Sequence, residues 1–346
     1  SQEILKTSFT TIKILFMNTK YIKLIALCAT LPTLLFAQQS AKPDATLTER
    51  GNQPPSAVTA EGTEKTNVDT SDAGAQRPIF LKTENISAFA GLDTKYLYRN
   101  NPLSSSDKLS FIETAMWMNT AYAGASFEAV ETDNSVIIPY VGASYTSTEY
   151  LESGLDGLDF TSTSAYAMLL AQHSSGWTFR TGVSYAMDSS QLSSDETYKE
   201  FYPYIGAMKS HSLGDSVIGA LDISGGLHMS DSDSFDSSYN GNRELQNVDT
   251  TAAYSLRFIF EKIVISPRYG ITYKKYFYGP NDNRDDLLHS VNLKIDYIVN
   301  ENLNISIFGG YSNRDSSGGT YQDAGILSYD FESADGGIAL GLNTTF

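Results

Sequence analysis

From Pro78 to Phe346, apolar and polar residues alternate with a period of two in segment after segment, and no stretch sustains a helical period. Successive side chains of a strand point to opposite faces, so such a chain must find a different environment for each face of its sheet. The last segment shows this most plainly. In DGGIALGLNTTF, Ile338, Leu340, Leu342 and Phe346 fall on one face, and Ala339, Gly341, Asn343 and Thr345 on the other. Likewise Val291, Leu293, Ile295 and Tyr297 oppose Ser290, Asn292, Lys294 and Asp296, while Tyr254, Leu256, Phe258 and Phe260 oppose Ala253, Ser255 and Arg257. A soluble sandwich alternates too, but its outward face usually carries Lys and Glu. Here the polar faces are mostly Gly, Ser, Thr and Asn with an occasional Arg or Asp, which suits a wet, narrow interior. The pattern predicts an all-β chain, an antiparallel up-and-down transmembrane β-barrel with apolar faces toward lipid.

Twelve candidate strands follow, at 86–98, 113–129, 136–149, 159–173, 176–188, 198–210, 216–229, 247–260, 262–276, 287–299, 302–313 and 334–346. Each is near the length that crosses an outer membrane at a tilt. The gaps between them alternate short and long, as tight periplasmic turns and larger external loops do. Residues 109–130 can also be read as a hairpin, which would make thirteen strands and break that alternation; one long strand keeps it. Trp177, Phe258, Phe260, Tyr297 and Phe346 would form an aromatic girdle at the periplasmic rim, and Tyr96, Tyr98, Tyr145, Tyr185, Tyr273 and Tyr311 one at the outer rim.

Composition excludes several other classes. With 24 Lys and Arg against 40 Asp and Glu, the net charge is −16, and the clustered bases that nucleic acid requires are absent. A single cysteine, Cys28, rules out a disulfide scaffold, and no Cys/His spacing suggests structural zinc. The only apolar run near the length of a membrane helix lies close to the N-terminus.

That run, residues 17–37, reads MNTKYIKLIALCATLPTLLFA: Lys20 and Lys23 precede an apolar stretch ending at the small Ala37, the build of a secretory signal peptide cut before Gln38. Cys28 follows Leu27, where a lipoprotein signal has a small residue. Residues 1–16, upstream of Met17, are expected to belong to an over-extended gene start. Residues 1–37 hold Lys6, Lys13, Lys20, Lys23 and Glu3, so their loss would take the net charge from −16 to −19. Residues 38–77 contain no aromatic and almost no large apolar side chain; they cannot offset the entropy of ordering and are expected to form a disordered periplasmic tether to the barrel at 78–346.

The final strand, GIALGLNTTF, resembles the C-terminal signal of bacterial outer-membrane β-barrel proteins, of a porin-like kind with about twelve strands. The opening run GLDTKYLYRNNPLSSSD is similar to the first strand of small porin-like families. The resemblance implies an outer-membrane location and recognition by the barrel-assembly machinery through Ile338, Leu340, Leu342 and Phe346, although the polar Thr344 interrupts that face. Lipid and lipopolysaccharide would surround such a barrel.

Parity places Asp93, Lys95, Arg180, Asp222, Arg257, Arg268, Lys274, Lys294 and Asp296 toward the lumen. Arg257, Arg268 and Lys294 lie on consecutive strands and would form a basic stripe facing Asp222 and Asp296. Poorly screened charges in a narrow channel tune ion selectivity. The expected function is a passive diffusion pore for small hydrophilic solutes or ions. Its rival is a non-conducting structural or adhesion barrel, in which the charges pair and plug the lumen. A translocator for an exported domain is disfavoured because residues 38–77 are too short and polar to be a folded passenger. Enzyme chemistry is not expected: His173 and His211 fall at periplasmic turns, His228 and His289 lie near external strand ends, and no G-x-S-x-G elbow occurs. A barrel phospholipase would need a Ser–His pair facing the membrane, yet His289 and Ser290 are neighbours on opposite faces of a strand. The acidic loops, with Glu149, Glu152, Asp156 and Asp159, then Asp231, Asp233 and Asp236, then Asp282, Asp285 and Asp286, could attract divalent cations, but none matches an EF-hand. No cofactor is expected.

Overall fold

The computed structural model describes residues 86–101, 113–194, 196–214, 216–232, 243–323 and 328–345. The proposed gene-start, signal and tether segments, and Phe346, lie outside the described residues.

The alternating segments form twelve long strands: β1 (Ile86–Arg99), β2 (Thr114–Phe127), β4 (Ser135–Tyr150), β5 (Phe160–His173), β6 (Trp177–Ser190), β7 (Glu196–Gly214), β8 (Val217–Ser232), β9 (Asn247–Phe260), β10 (Ile263–Tyr276), β11 (Asp285–Asn300), β12 (Leu303–Ser317) and β13 (Phe331–Thr345). A two-residue piece, β3 (Val130–Glu131), pairs only with the start of β4. Every long strand pairs antiparallel with its sequence neighbours, and β1 also pairs with β13, from Phe89↔Thr345 to Arg99↔Asp335. That seam closes the sheet into a barrel and leaves no long edge unpaired. The described part of segment 109–130 contributes one long strand, β2, with Val130 opening the short β3, so the alternation of short and long connections holds. The short ones sit together at one end of the barrel, called here the turn end, and the others at the loop end. In the β5–β6 turn Gly176 takes φ 81°, a left-handed value that a glycine adopts without strain.

The outward face carries the apolar band, including Ile205, Val291, Leu293, Ile307 and Ile338, all exposed. Its rims are aromatic. Trp177 and Phe179 stack at the turn end with centroids 6.2 Å apart, and Tyr96 meets Trp117 edge-on near the loop end at 6.3 Å. A face so apolar on every strand belongs in lipid, and the chain is a transmembrane β-barrel. Among the described residues no helix is long and apolar enough to cross a membrane.

The inward face departs from the expected run of small polar residues. Across β1, β2, β4, β5 and β7 it carries Phe89, Tyr122, Tyr140, Met168, Tyr202 and Tyr204, packed as one cluster with Ile138, Tyr166 and Leu170. Glycine makes room for these rings: a Cβ on Gly91 would stand 2.1 Å from Tyr122 Cζ, and one on Gly142 2.5 Å from Tyr166 Oη. The rings therefore lie against the wall of the neighbouring strand, where they bury apolar area without meeting lipid. The strands from β8 to β13 keep the small and polar inward face that the alternation predicts, so the lumen has one aromatic wall and one polar wall.

Candidate functional site in the lumen

Two levels of the lumen differ in character. Toward the turn end, Arg180 on β6 reaches across β7 to Asp222 on β8 in a forked pair, with Nη1 donating to Oδ2 at 3.0 Å and Nη2 to Oδ1 at 2.7 Å. Asp296 on β11 accepts from Ser306 Oγ at 2.6 Å and pairs with Lys294 Nζ at 2.7 Å. Lys95 Nζ sits over the Phe308 ring, 5.4 Å from its centroid. Arg257 and Arg268 occupy inward positions on β9 and β10, opposite Ile218 on β8 and Asn292 on β11 respectively. The Lys294 side chain remains 47% exposed although it points into the barrel, so water reaches this level.

The sequence-derived lining residues Arg180, Asp222, Arg257, Arg268, Lys294 and Asp296 all stand on inward positions of five strands. The arrangement differs from a basic stripe confronting two carboxylates, because Asp222 is held by Arg180 and Asp296 by Lys294.

The loop end is a packed layer that sequence reasoning largely missed. Each of the twelve long strands contributes a buried inward residue there. Starting at the seam, these include Arg99, Met116, Thr148, Phe160, Asp188 and Glu200, followed by His228, Asp249, Lys274, Asp286, Arg314 and Phe331. Leu155 and Leu158, from the short 3₁₀ turn region between β4 and β5, pack onto Leu97, Met116, Met118, Tyr150 and Phe160. Several charged groups in the layer are paired. Arg99 Nη2 donates to Asp335 at 2.6 Å, and Arg284 donates to both oxygens of Asp286 at 2.8 and 2.6 Å. Arg284 also lies between the Tyr276 and Tyr329 rings, 4.6 and 3.7 Å from their centroids, which ties the β10–β11 and β12–β13 connections together. On β7 to β9, His228 Nδ1 is 2.9 Å from Glu200 Oε2, its Nε2 is 3.5 Å from Asp249 Oδ1, and Tyr202 Oη donates to Asp249 at 2.8 Å.

Parity alone would have found Glu200, which shares its face with Tyr202 and Tyr204, and Asp249, which shares its face with Thr251 and Ala253. Arg99 and Arg314 were hidden for another reason: they lie past the predicted strand ends, in runs too polar to read as membrane strands.

His211 corrects its expected place. It lies within β7, which runs on to Gly214, and its Nε2 is 2.9 Å from the outward Tyr254 Oη. His289 faces outward beside Tyr269, with Nδ1 2.8 Å from the phenol oxygen. The acidic loop residues are engaged too: Asp231 pairs with Lys199 at 3.3 Å, Asp285 with Lys275 at 2.9 Å, and Asp159 accepts from Tyr150 N at 2.8 Å. Partial burial pushes the Asp159 carboxyl above its ordinary pKa, against that hydrogen bond. Asp233 and Asp236 lie outside the described residues. Among the described residues no three of His, Cys, Asp and Glu are placed to hold a metal ion.

No family model matches the chain, and no curated protein matches it. Solved structures with similar barrels include an outer membrane channel from Pseudomonas putida, at 12% identity and TM-score 0.45, covering 78% of this chain and 100% of that one. The beta domain of a Bordetella autotransporter is 8% identical with TM-score 0.40, covering 75% and 99%. The NanC porin is 11% identical with TM-score 0.39, covering 72% and 98%. What this chain is similar to is thus a set of outer-membrane barrels, porins and an autotransporter domain among them.

Proposed function

We propose that this chain is an outer-membrane channel for small hydrophilic solutes, without enzymatic activity, with a preference for anions set at the turn-end level of its lumen. The observation that supports it is the solvent-exposed Lys294 inside a lipid-facing barrel. At that level Lys95, Arg257, Arg268 and Lys294 outnumber Asp93 and Asp296, while Arg180 and Asp222 cancel. A net positive lumen in a low-dielectric wall raises the local concentration of anions, and salt screens the effect. Export by residues 17–37 and assembly through the C-terminal strand belong to the same reading.

The test is conductance of the refolded protein in a planar bilayer under a salt gradient. The wild type is expected to show discrete steps and a reversal potential on the anion side; Arg268→Ala with Lys294→Ala shifts that potential toward cations. Absence of any step would overturn the channel reading. The buried layer at the loop end supports a second reading, a non-conducting barrel, and that result would favour it.

A further inference from the structure

Most charged pairs in the loop-end layer join arginine to aspartate: Arg99 with Asp335, Arg284 with Asp286, and Arg314 with the same Asp286. His228 is different, because imidazole is the side chain whose ordinary titration falls near neutrality.

His228 is wholly buried on β8, and its two nitrogens face two carboxylates on the flanking strands, Glu200 on β7 and Asp249 on β9. A carboxylate only accepts hydrogen bonds, so Nδ1 carries a proton toward Glu200, while Nε2, 3.5 Å from Asp249 and without a hydrogen bond, pairs with that carboxylate by charge when the ring is doubly protonated. The Tyr202 ring packs on it with centroids 4.2 Å apart. The other titratable groups around the site are few. Tyr198 donates to Glu200 and Tyr202 to Asp249 from β7. Lys274 on β10 is registered with Asp249 on one side and with Asp286 of β11 on the other, and Asp188 on β6 is registered with Tyr198. With the ring protonated, His228 and Lys274 balance Glu200 and Asp249. Once the ring loses its proton, one buried carboxylate is uncompensated, a costly state away from water. Little nearby can absorb it: Glu200 Oε1, His228 Nε2, Ser230 Oγ, Asn247 Oδ1 and Asp249 Oδ2 are buried and without hydrogen-bond partners.

We propose that His228 is a proton-operated keystone of the loop-end layer. In mild acid the imidazolium bridges β7, β8 and β9 and the layer is shut. Toward alkaline pH the bridge is lost, Glu200 and Asp249 repel each other, and the layer loosens to open the lumen. The effect on conduction rests on the channel reading; the switch itself does not, and two readouts separate them.

The first readout is conductance at pH 5.5 and 8.5. The wild type is expected to conduct several-fold more at the higher pH, His228→Gln to conduct at both, and Glu200→Gln, which removes the repelling charge, to stay shut at both. The second is maleimide labelling of a Ser230→Cys protein carrying Cys28→Ser, with the rate divided by that of Ser174→Cys at an exposed turn to remove the reagent's own pH dependence. Ser230 is buried in the layer, so its relative labelling should rise several-fold from pH 5.5 to 8.5, and adding His228→Gln should abolish the rise by making labelling fast throughout. Heat-modifiable gel migration verifies that each variant folds. Conductance that is flat with pH, together with flat labelling, would overturn the keystone and leave the channel standing. Switching labelling in a silent barrel would leave the keystone and remove the channel.

Discussion

Arg284 shows how little slack a buried charge has. Its guanidinium is fully buried, forked onto Asp286 and held between two tyrosine rings. Arg284→Ala would strip Asp286 of its forked partner, with Arg314 3.8 Å away, and should cost about 3–5 kcal/mol, as removal of one member of a buried pair does. Urea unfolding of the refolded barrel in lipid measures it. Arg284→Lys should recover only part, since an ammonium cannot fork or stack. Backbone contacts are equally exacting at Gly337, where an added Cβ would meet the Tyr96 carbonyl oxygen at 2.2 Å and Leu97 Cα at 2.8 Å. Gly337→Ala should therefore destabilise by about 1–3 kcal/mol, whereas Gly157→Ala, with nothing within 4 Å, should stay within about 0.5 kcal/mol. The same unfolding series compares the two.

Strands were the most legible unit of this sequence, because a period of two needs no knowledge of neighbours. Ile338, Leu340 and Leu342 face outward on β13 as their alternation with Ala339 and Gly341 implies, and β9 occupies 247–260 as read. The inward aromatic wall was not legible. Tyr122 and Tyr166 alternate with alanines on their strands, so which set faced lipid depended on Gly91 and Gly142 of adjacent strands, a relation that exists only after pairing. Strand ends were read short at the loop end for a related reason: Arg314 and Asp286 are tolerable inside only because partners from other strands meet them. Position on a strand also sets cost. Ile307→Arg, on the lipid face of β12 and 58% exposed, should destabilise by about 2–4 kcal/mol if it sits near mid-membrane, less toward a rim. Refolding into lipid vesicles followed by denaturant titration gives the value.

For the whole molecule, the near-neutral mean hydropathy of −0.23 conceals two surfaces of opposite character, one turned to lipid and one to a lumen. The net charge of −16 likewise says nothing of the basic turn-end level, where anion preference is expected to appear in the reversal potential. A barrel whose twelve long strands are all paired should migrate differently on a gel before and after boiling, and its far-UV spectrum should be that of β-structure; a helical spectrum would be incompatible with the fold.

The seam between β1 and β13 has a consequence in time. Phe89 and Thr345 are partners although nearly the whole barrel sequence separates them, whereas every other ladder between long strands joins successive long strands of the chain. The ladder that completes the cylinder is therefore the last one that synthesis permits, and the one with the largest loop to close. Until it forms, a nascent sheet presents two bare borders, one on each side, each able to pair with another chain.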